Sequence, residues 1–575
     1  MSYNSNLEKL RKNLIKLNAN AIVVSMNSEF SNKESDISDI GFISGFSGSN
    51  GRAVVSLDSA ILAVDGRYTK QANEQTDASI WTIEFFPKTD TTKMIAELVK
   101  KGETLIVGSL SVTYKTYISI VQLSEKIGFI IKSIKIHPVS NEKSKAELNS
   151  NLFLMSEEYM GETVEQRISR VKETLNENEG ALFADKARIG WIFGIRMEKL
   201  DSSKSAMANC IAFIPKKGTP VVFCDLKLTE KPAHFDFKNF DEFEEYIKNS
   251  PKYLVKLDYK NTPAYFALIL KDYEFEIKSF ENTFCAFETI KNKMEIENQK
   301  IGAELTALAF IKTLAFVENS ITTSEIDVAK FFEKQIMQNE HAVGISFNSI
   351  SSFKDSTCIV HYNPYTAESK EIVGDGLFLF DAGAHFDFST TDMTRVLYRG
   401  DAPPTDIIET YSVVLKSLIM FSSAHFPDKS FAACIDTIAR FPVWKAGYDY
   451  SFGTGHGIGC FGNVHETLRV SQVSQDRITR NMMVTVEPGI YNSEFGIRLE
   501  NMLLTVASSK NSSFIEFETL NFIPFCRKLI NKEILDKFEI NWLNNYHKKC
   551  FDKFYDTLKN DAKTLAWLEE NTKEI

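Results

Sequence analysis

Residues 377–392 read LFLFDAGAHFDFSTTD: an apolar strand runs into Asp381, and the chain returns to a second aspartate, Asp392, eleven positions later. Aspartate is common where strands end, since its carboxylate favours turns. A charge abutting a buried run is also costly unless it is paired or bound to a cation. Taken alone, each of the two aspartates fits either account.

Working outward, the weighing changes. VTVEPGIY (484–491) supplies Glu487, and GIRLENMLLTV (496–506) supplies Glu500. Strand alternation in the latter predicts Arg498, Glu500 and Met502 on one face, with Ile497, Leu499 and Asn501 on the other. Between the two aspartates and the two glutamates lies GTGHGIGCFGNVHE (453–466), whose small residues let the backbone bend around His456 and leave room for His465. A single buried histidine is most often a satisfied core residue, but His456 accompanies four carboxylates on apolar strands. Four carboxylates and an imidazole suit two divalent ions such as manganese, cobalt or zinc, and not a structural thiolate zinc site. Two metals about 3.5–4 Å apart can share a hydroxide at neutral pH and polarise a scissile carbonyl, so amide hydrolysis is the chemistry expected.

The rest of the chain bounds that reading. At 575 residues it is too long for one core, and three or four units are expected. With 43% hydrophobic and 25% charged residues the composition is that of an ordinary folded globular protein. A formal net charge of −10 argues against general nucleic-acid binding. The eight cysteines, Cys285 among them, are scattered and contain no CxxC pair, the usage of a reducing compartment. The first thirty residues interleave charged and apolar positions, so neither a signal peptide nor an anchor is expected, and no 18-residue apolar run occurs. The expected location is the cytoplasm, away from membranes.

Two early segments repeat a pattern. Leu7, Leu10, Leu14 and Leu17 recur at helical spacing, followed by the strand AIVVSM and the apolar tag DIGFISGF (39–46). Val164, Ile168, Val171 and Leu175 do the same, followed by ALFADK and RIGWIFGI (188–195). We expect two related α/β domains, 1–150 and 151–292, joined through the polar stretch at 140–151. A third domain, 293–575, opens with a long helix and a second one capped by Ser324 and Asp327. It changes to short strands from Gly376 and ends in a charged helical tail from Lys532.

GFSGSNGRAVV (45–55), DGRYT (65–69), HYNP (361–364), DAGAHFDFSTTDMTR (381–395), EPGIY, FGIRLEN and WLNNYH (542–547), with the glycine-rich stretch above, resemble the three-domain aminopeptidases P of the pita-bread metallopeptidases. The resemblance implies two creatinase-like α/β domains before a pita-bread catalytic domain of α+β type. It implies hydrolysis of the bond between an N-terminal residue and a following proline, through a hydroxide bridging two metals, most often Mn2+ with Zn2+ or Co2+ as alternatives. Asp381, Asp392, His456, Glu487 and Glu500 match the metal ligands of the family, and Glu487 the carboxylate that handles the proton of the bridging water. His361 and His465 match histidines that bind substrate near the scissile bond, and Arg498 matches an arginine that organises the site. The partners implied are peptides with proline second and a second copy of the chain in a homodimer. One departure stands out: the family has a histidine four residues before the metal-binding one, where this chain has Phe452. A prolidase limited to dipeptides and a non-catalytic peptide-binding relative are the competing readings. Prolidases generally have one N-terminal domain, and degenerate relatives are expected to lose ligands.

Overall fold

The computed structural model describes residues 3–26, 30–35, 37–86, 88–280 and 287–575. Cys285 lies outside them. The other seven cysteines are free thiols. The chain forms two compact units: Met1–Met155 with Glu162–Ser202 and Met207–Phe284, and Cys285–Ile575 with the short segments Ser156–Gly161 and Ser203–Ala206.

The first unit contains two six-stranded sheets with one and the same plan. In the first, the central strand Ala21–Ser25 pairs antiparallel with Arg52–Ser56 and parallel with Thr104–Gly108. In the second, Glu179–Phe183 pairs antiparallel with Ile211–Pro215 and parallel with Leu254–Leu257. The outer strands repeat the correspondence, and both central strands are buried on both faces, as a sheet covered by helices requires.

The heptad-like leucines form the helix Tyr3–Lys16, with Leu7, Leu10 and Leu14 buried. The two apolar tags turn out to be short helices, Asp39–Ser44 and Lys186–Phe193. Each starts on a side-chain cap, Ser38 accepting from Gly41 N and Asp185 from Ala187 N and Arg188 N. Each stops at a left-handed glycine, Gly45 (φ 84°) and Gly194 (φ 67°). The polar stretch at 140–151 contains the end of the helix Pro138–Glu142 and a two-residue strand, Ala146–Glu147.

The second unit begins with the 27-residue helix Lys293–Asn319, closed at its start by a reciprocal Asn292–Glu295 capping box. In the following helix, Glu325–Ile336, Ser324 caps Asp327 N as its spacing predicts, but the Asp327 carboxylate accepts from the Ser324 hydroxyl and not from its backbone. A three-stranded antiparallel sheet, Ile350–Phe353, Gly376–Ala382 and Met393–Arg399, adjoins a six-stranded one whose middle strands are Asn501–Ala507, Met483–Val486 and Gly455–Gly457. The charged tail is part of the core: in the helix Lys537–Leu558, Leu543, Tyr546, His547 and Phe554 are buried. Among the described residues no helix is long and apolar enough to cross a membrane.

Candidate metal centre

Asp381 lies one residue before the end of its strand, opposite Thr394 in register, and Asp392 immediately precedes the partner strand. The hairpin therefore delivers both carboxylates to one place. Gly383 permits it, since a Cβ there would stand 1.9 Å from Thr391 O.

The strand carrying Glu500 is not the continuous one its alternation suggests. Gly496–Arg498 pairs with Gly489–Tyr491, whereas Asn501–Ala507 pairs with Met483–Val486. Leu499 and Glu500 fall in the break, where Glu500 N donates to Thr394 O (3.1 Å) and Glu500 Oε2 accepts from Thr394 Oγ1 (2.7 Å). Arg498 and Glu500 still both reach the centre, because each has a partner on the hairpin.

Glu487 caps the end of Met483–Val486 and is the most open of the four carboxylates, its side chain 21% exposed. His456 sits on Gly455–Gly457, where a Cβ at Gly455 would meet Thr485 O at 2.0 Å. Its Nδ1 is 3.0 Å from Gly457 O, and because a carbonyl only accepts, Nδ1 carries the proton. Its Nε2 faces Asp392 Oδ2 at 3.4 Å and Glu487 Oε1 at 3.5 Å.

Donor atoms of Asp381, Asp392 and Glu500 lie within 4.8 Å of one another, as do those of His456, Glu487 and Glu500, and those of Asp392, His456 and His465. All five residues named as ligands are thus brought together, and His465 joins them with its ring centroid 4.2 Å from that of His456. His361 stands on the turn after Lys354–Cys358, half-buried, with Val360 O accepting from Arg498 Nη1 (3.3 Å).

The cluster is electrostatically uncomfortable by itself. Burial, reinforced by neighbouring Asp381 and Glu487, drives Asp392 well above the usual carboxylate range, and burial with Asp392 and Glu487 does the same to Glu500. Arg498 offsets one charge. Its Nη2 pairs with Asp381 and its Nη1 with Tyr491 OH, and although burial opposes its charge, Tyr491, Asp381 and Glu487 keep it protonated. Burial also pushes the Tyr491 hydroxyl up, to about 12. Two fully buried carboxylate oxygens, Asp381 Oδ1 and Glu500 Oε1, have no hydrogen-bond partner. Orphaned carboxylate oxygens beside the Nε2 of His456, with no thiolate in the set, fit two divalent cations of total charge +4.

Three residues that the sequence reading quoted inside motifs but left without a role support this arrangement: Thr394, Tyr491 and Arg395. Arg395 is fully buried and donates to Glu500 O (2.6 Å), Asn501 Oδ1 (2.8 Å) and Tyr546 OH (2.7 Å), so the helix Lys537–Leu558 braces the backbone of Glu500. For two of them the signal was alternation, since Thr394 stands two positions beyond Asp392 and Tyr491 four beyond Glu487; Arg395 carried no such signal.

Residues 297–507 match the model of metallopeptidase family M24, residues 513–575 its C-terminal region, and residues 6–138 the creatinase/prolidase N-terminal domain. Residues 297–507 belong to metallopeptidase family M24. Xaa-Pro aminopeptidase 1 of Dictyostelium discoideum is 27% identical to this metallopeptidase over 93% of the chain and 90% of its own length. A probable Xaa-Pro aminopeptidase P of Blastomyces gilchristii is 29% identical over 93% and 92%. The crystal structure of X-prolyl aminopeptidase from Caenorhabditis elegans, described as a cytosolic enzyme with a di-nuclear active site, superimposes with a TM-score of 0.91, 26% identity and full coverage of both chains.

Proposed function

We propose that this M24 enzyme is an Xaa-Pro aminopeptidase, removing the N-terminal residue from peptides whose second residue is proline. The observation that carries the reading is the convergence of Asp381, Asp392, His456, Glu487 and Glu500, with two carboxylate oxygens left unpartnered in the interior. Those five residues would hold two divalent cations. Bound there, the cations would activate water and polarise the scissile carbonyl.

The protein's own groups do the rest. Glu487, on the open side of the cluster, takes up the proton released by the attacking water. Arg498 fixes Asp381 and, through Val360 O, the backbone beside His361. His361 and His465 donate to the substrate around the scissile bond. A proline nitrogen carries no hydrogen, so a site built for it needs no acceptor there, only an apolar face for the ring.

The ions are Mn2+ in this reading, with Zn2+ and Co2+ the alternatives, and the enzyme works as a cytoplasmic homodimer. Its chain divides at 150 and 292 into two related α/β domains and a pita-bread domain, a division supported by the matching strand orders of the two sheets.

The test loads purified protein with manganese, zinc or cobalt in turn and measures metal content and hydrolysis of Xaa-Pro-Xaa, Xaa-Pro and Xaa-Ala peptides. Two ions per chain and preference for the longer proline peptides are expected. A folded protein that holds no divalent ion, or that cleaves Xaa-Ala equally well, overturns the assignment. Exclusive action on Xaa-Pro dipeptides makes it a prolidase. Sedimentation velocity reads the oligomeric state.

A further inference from the structure

Glu325 is a carboxylate with no solvent exposure and a structural task that the reaction chemistry does not explain. It is the first residue of the helix Glu325–Ile336, where a negative charge is favoured by the helix dipole. Its Oε1 accepts from Phe353 N (2.8 Å), and its Oε2 from Lys370 N (2.8 Å) and from Tyr362 OH (2.6 Å). Three donors from three parts of one excursion thus end on a single buried group: the end of the strand Ile350–Phe353, the loop residue Tyr362, and the return of the chain at Lys370.

His361 is the residue before Tyr362. On its other side, Val360 O accepts from Arg498, whose second arm pairs with Asp381. The backbone of His361 is therefore held between two fixed points, one tied to the metal cluster and the other to Glu325. Tyr362 is 6% exposed, and burial together with the Glu325 bond raises its hydroxyl well above the ordinary phenol range, so it stays a donor. The remainder of the loop closes on itself, with Tyr362 N bonded to Ile359 O and Ala367 N to Asn363 O.

We infer that Glu325 and Tyr362 are positioning residues that set the imidazole of His361 against the substrate. This rests on the proposed substrate-binding role of His361. Neither residue touches the substrate. The Tyr362–Glu325 bond, at 2.6 Å, has the length of a charge-assisted hydrogen bond, the shorter and stronger class.

The experiment is a double-mutant cycle on the metal-loaded full-length enzyme with an Xaa-Pro-Xaa peptide: His361→Ala, Tyr362→Phe and the pair. Tyr362→Phe keeps the ring and removes one hydroxyl, so the fold and the metal content survive. We expect it to lower kcat/KM about tenfold, with the loss mainly in kcat, and to have no further effect once His361 is alanine. Glu325→Gln is expected to follow Tyr362→Phe, and Glu325→Asp, which keeps the charge but draws it back, to recover part of the loss. Equal losses from Tyr362→Phe with and without His361, tracking a fall in thermal midpoint, show a purely structural role and overturn the inference. If His361→Ala alone leaves kcat/KM unchanged, the reading of His361 itself fails. That outcome is distinguishable because the single histidine variant reports it without reference to Tyr362.

Discussion

Two sets of buried acidic residues, one in each unit, behave in opposite ways. In the first, Asp39 meets Lys143 at 2.6 Å and Ser140 at 2.7 Å, and Glu179 meets Lys256 at 2.7 Å together with Asn176. Each carboxylate has a cation of its own, and its stability contribution ends there. In the second, Asp381, Asp392, Glu487 and Glu500 converge with one arginine among them, and oxygens remain unpaired. Burial identifies neither kind. What sets the cluster apart from Asp39, Glu179 and the fully hydrogen-bonded Glu325 is that the protein supplies it neither enough counter-charge nor, for two oxygens, a donor.

The sharpest way to break this comparison is to neutralise one acid in each unit. Glu487→Gln removes both a ligand charge and the proton acceptor, and kcat should fall at least a hundredfold, roughly 2.7 kcal/mol of barrier. The fold should be kept, because the variant relieves like-charge repulsion. Glu179→Gln should instead lower the thermal midpoint and leave turnover per folded molecule untouched. Steady-state kinetics with circular dichroism reads both. A loss under tenfold for Glu487→Gln would give that residue the wrong role.

A second effect, on stability alone, concerns acid. His137, fully buried in the first unit, has its pKa lowered to about 4, chiefly by burial. Its Nδ1 accepts from Val139 N and its Nε2–H donates to Val23 O, a neutral tautomer. Above about pH 6.5 both folded and unfolded chains hold the ring neutral, and the contribution is fully present. As the pH falls from there toward 4 the unfolded chain binds the proton first, and up to about 3 kcal/mol is lost. Denaturation monitored between pH 7 and 4 should show this slope, and His137→Gln should flatten it at some cost in stability at neutral pH.

Local pattern made part of the molecule readable. Leu7, Leu10 and Leu14 announce their helix because helical spacing needs only neighbours a few residues away. The candidate ligands stood out because four of them, Asp381, Asp392, Glu487 and Glu500, place a carboxylate within or beside an apolar strand. What escaped depends on residues far apart in the chain. Nothing near Arg395 points to Tyr546, nothing near Glu325 points to Tyr362, and the break at Leu499–Glu500 exists only because two different partners claim the flanking strands. His385 shows the same blindness. Its position between the two aspartates gives no hint of burial. It is buried, with Nδ1 at 2.9 Å from Thr390 Oγ1 and Nε2 at 2.9 Å from Lys204 O, so His385→Ala is a stability variant and the partly exposed Asp387 a better control.

The smallest expected effect tests where the cluster gives way to an apolar wall. Phe452 stands where the resembling enzymes carry histidine, its ring 5.1 Å from Tyr450 and 5.9 Å from Tyr491. Its backbone is fixed independently of its side chain, since Phe452 O accepts from Arg440 Nη2 (2.5 Å), and Arg440 is itself held by Asp436 at 2.7 Å. Replacing the ring therefore leaves the chain in place. Phe452 is not a ligand, and Tyr491, which it packs against, reaches Asp381 only through Arg498. Phe452→His should leave metal content unchanged and add at most one hydrogen bond to the substrate, worth about 0.5–1.5 kcal/mol, or roughly two- to tenfold in kcat/KM. The gain should appear on tripeptides and not on Xaa-Pro dipeptides, because only a chain continuing past proline offers the extra carbonyl. The native phenylalanine should in turn favour apolar residues at that position, a preference the histidine variant loses. If the native protein loads two metals but cleaves no Xaa-Pro peptide while Phe452→His does, the aromatic wall inactivates the site. The cluster would then be a metal centre kept for binding peptides.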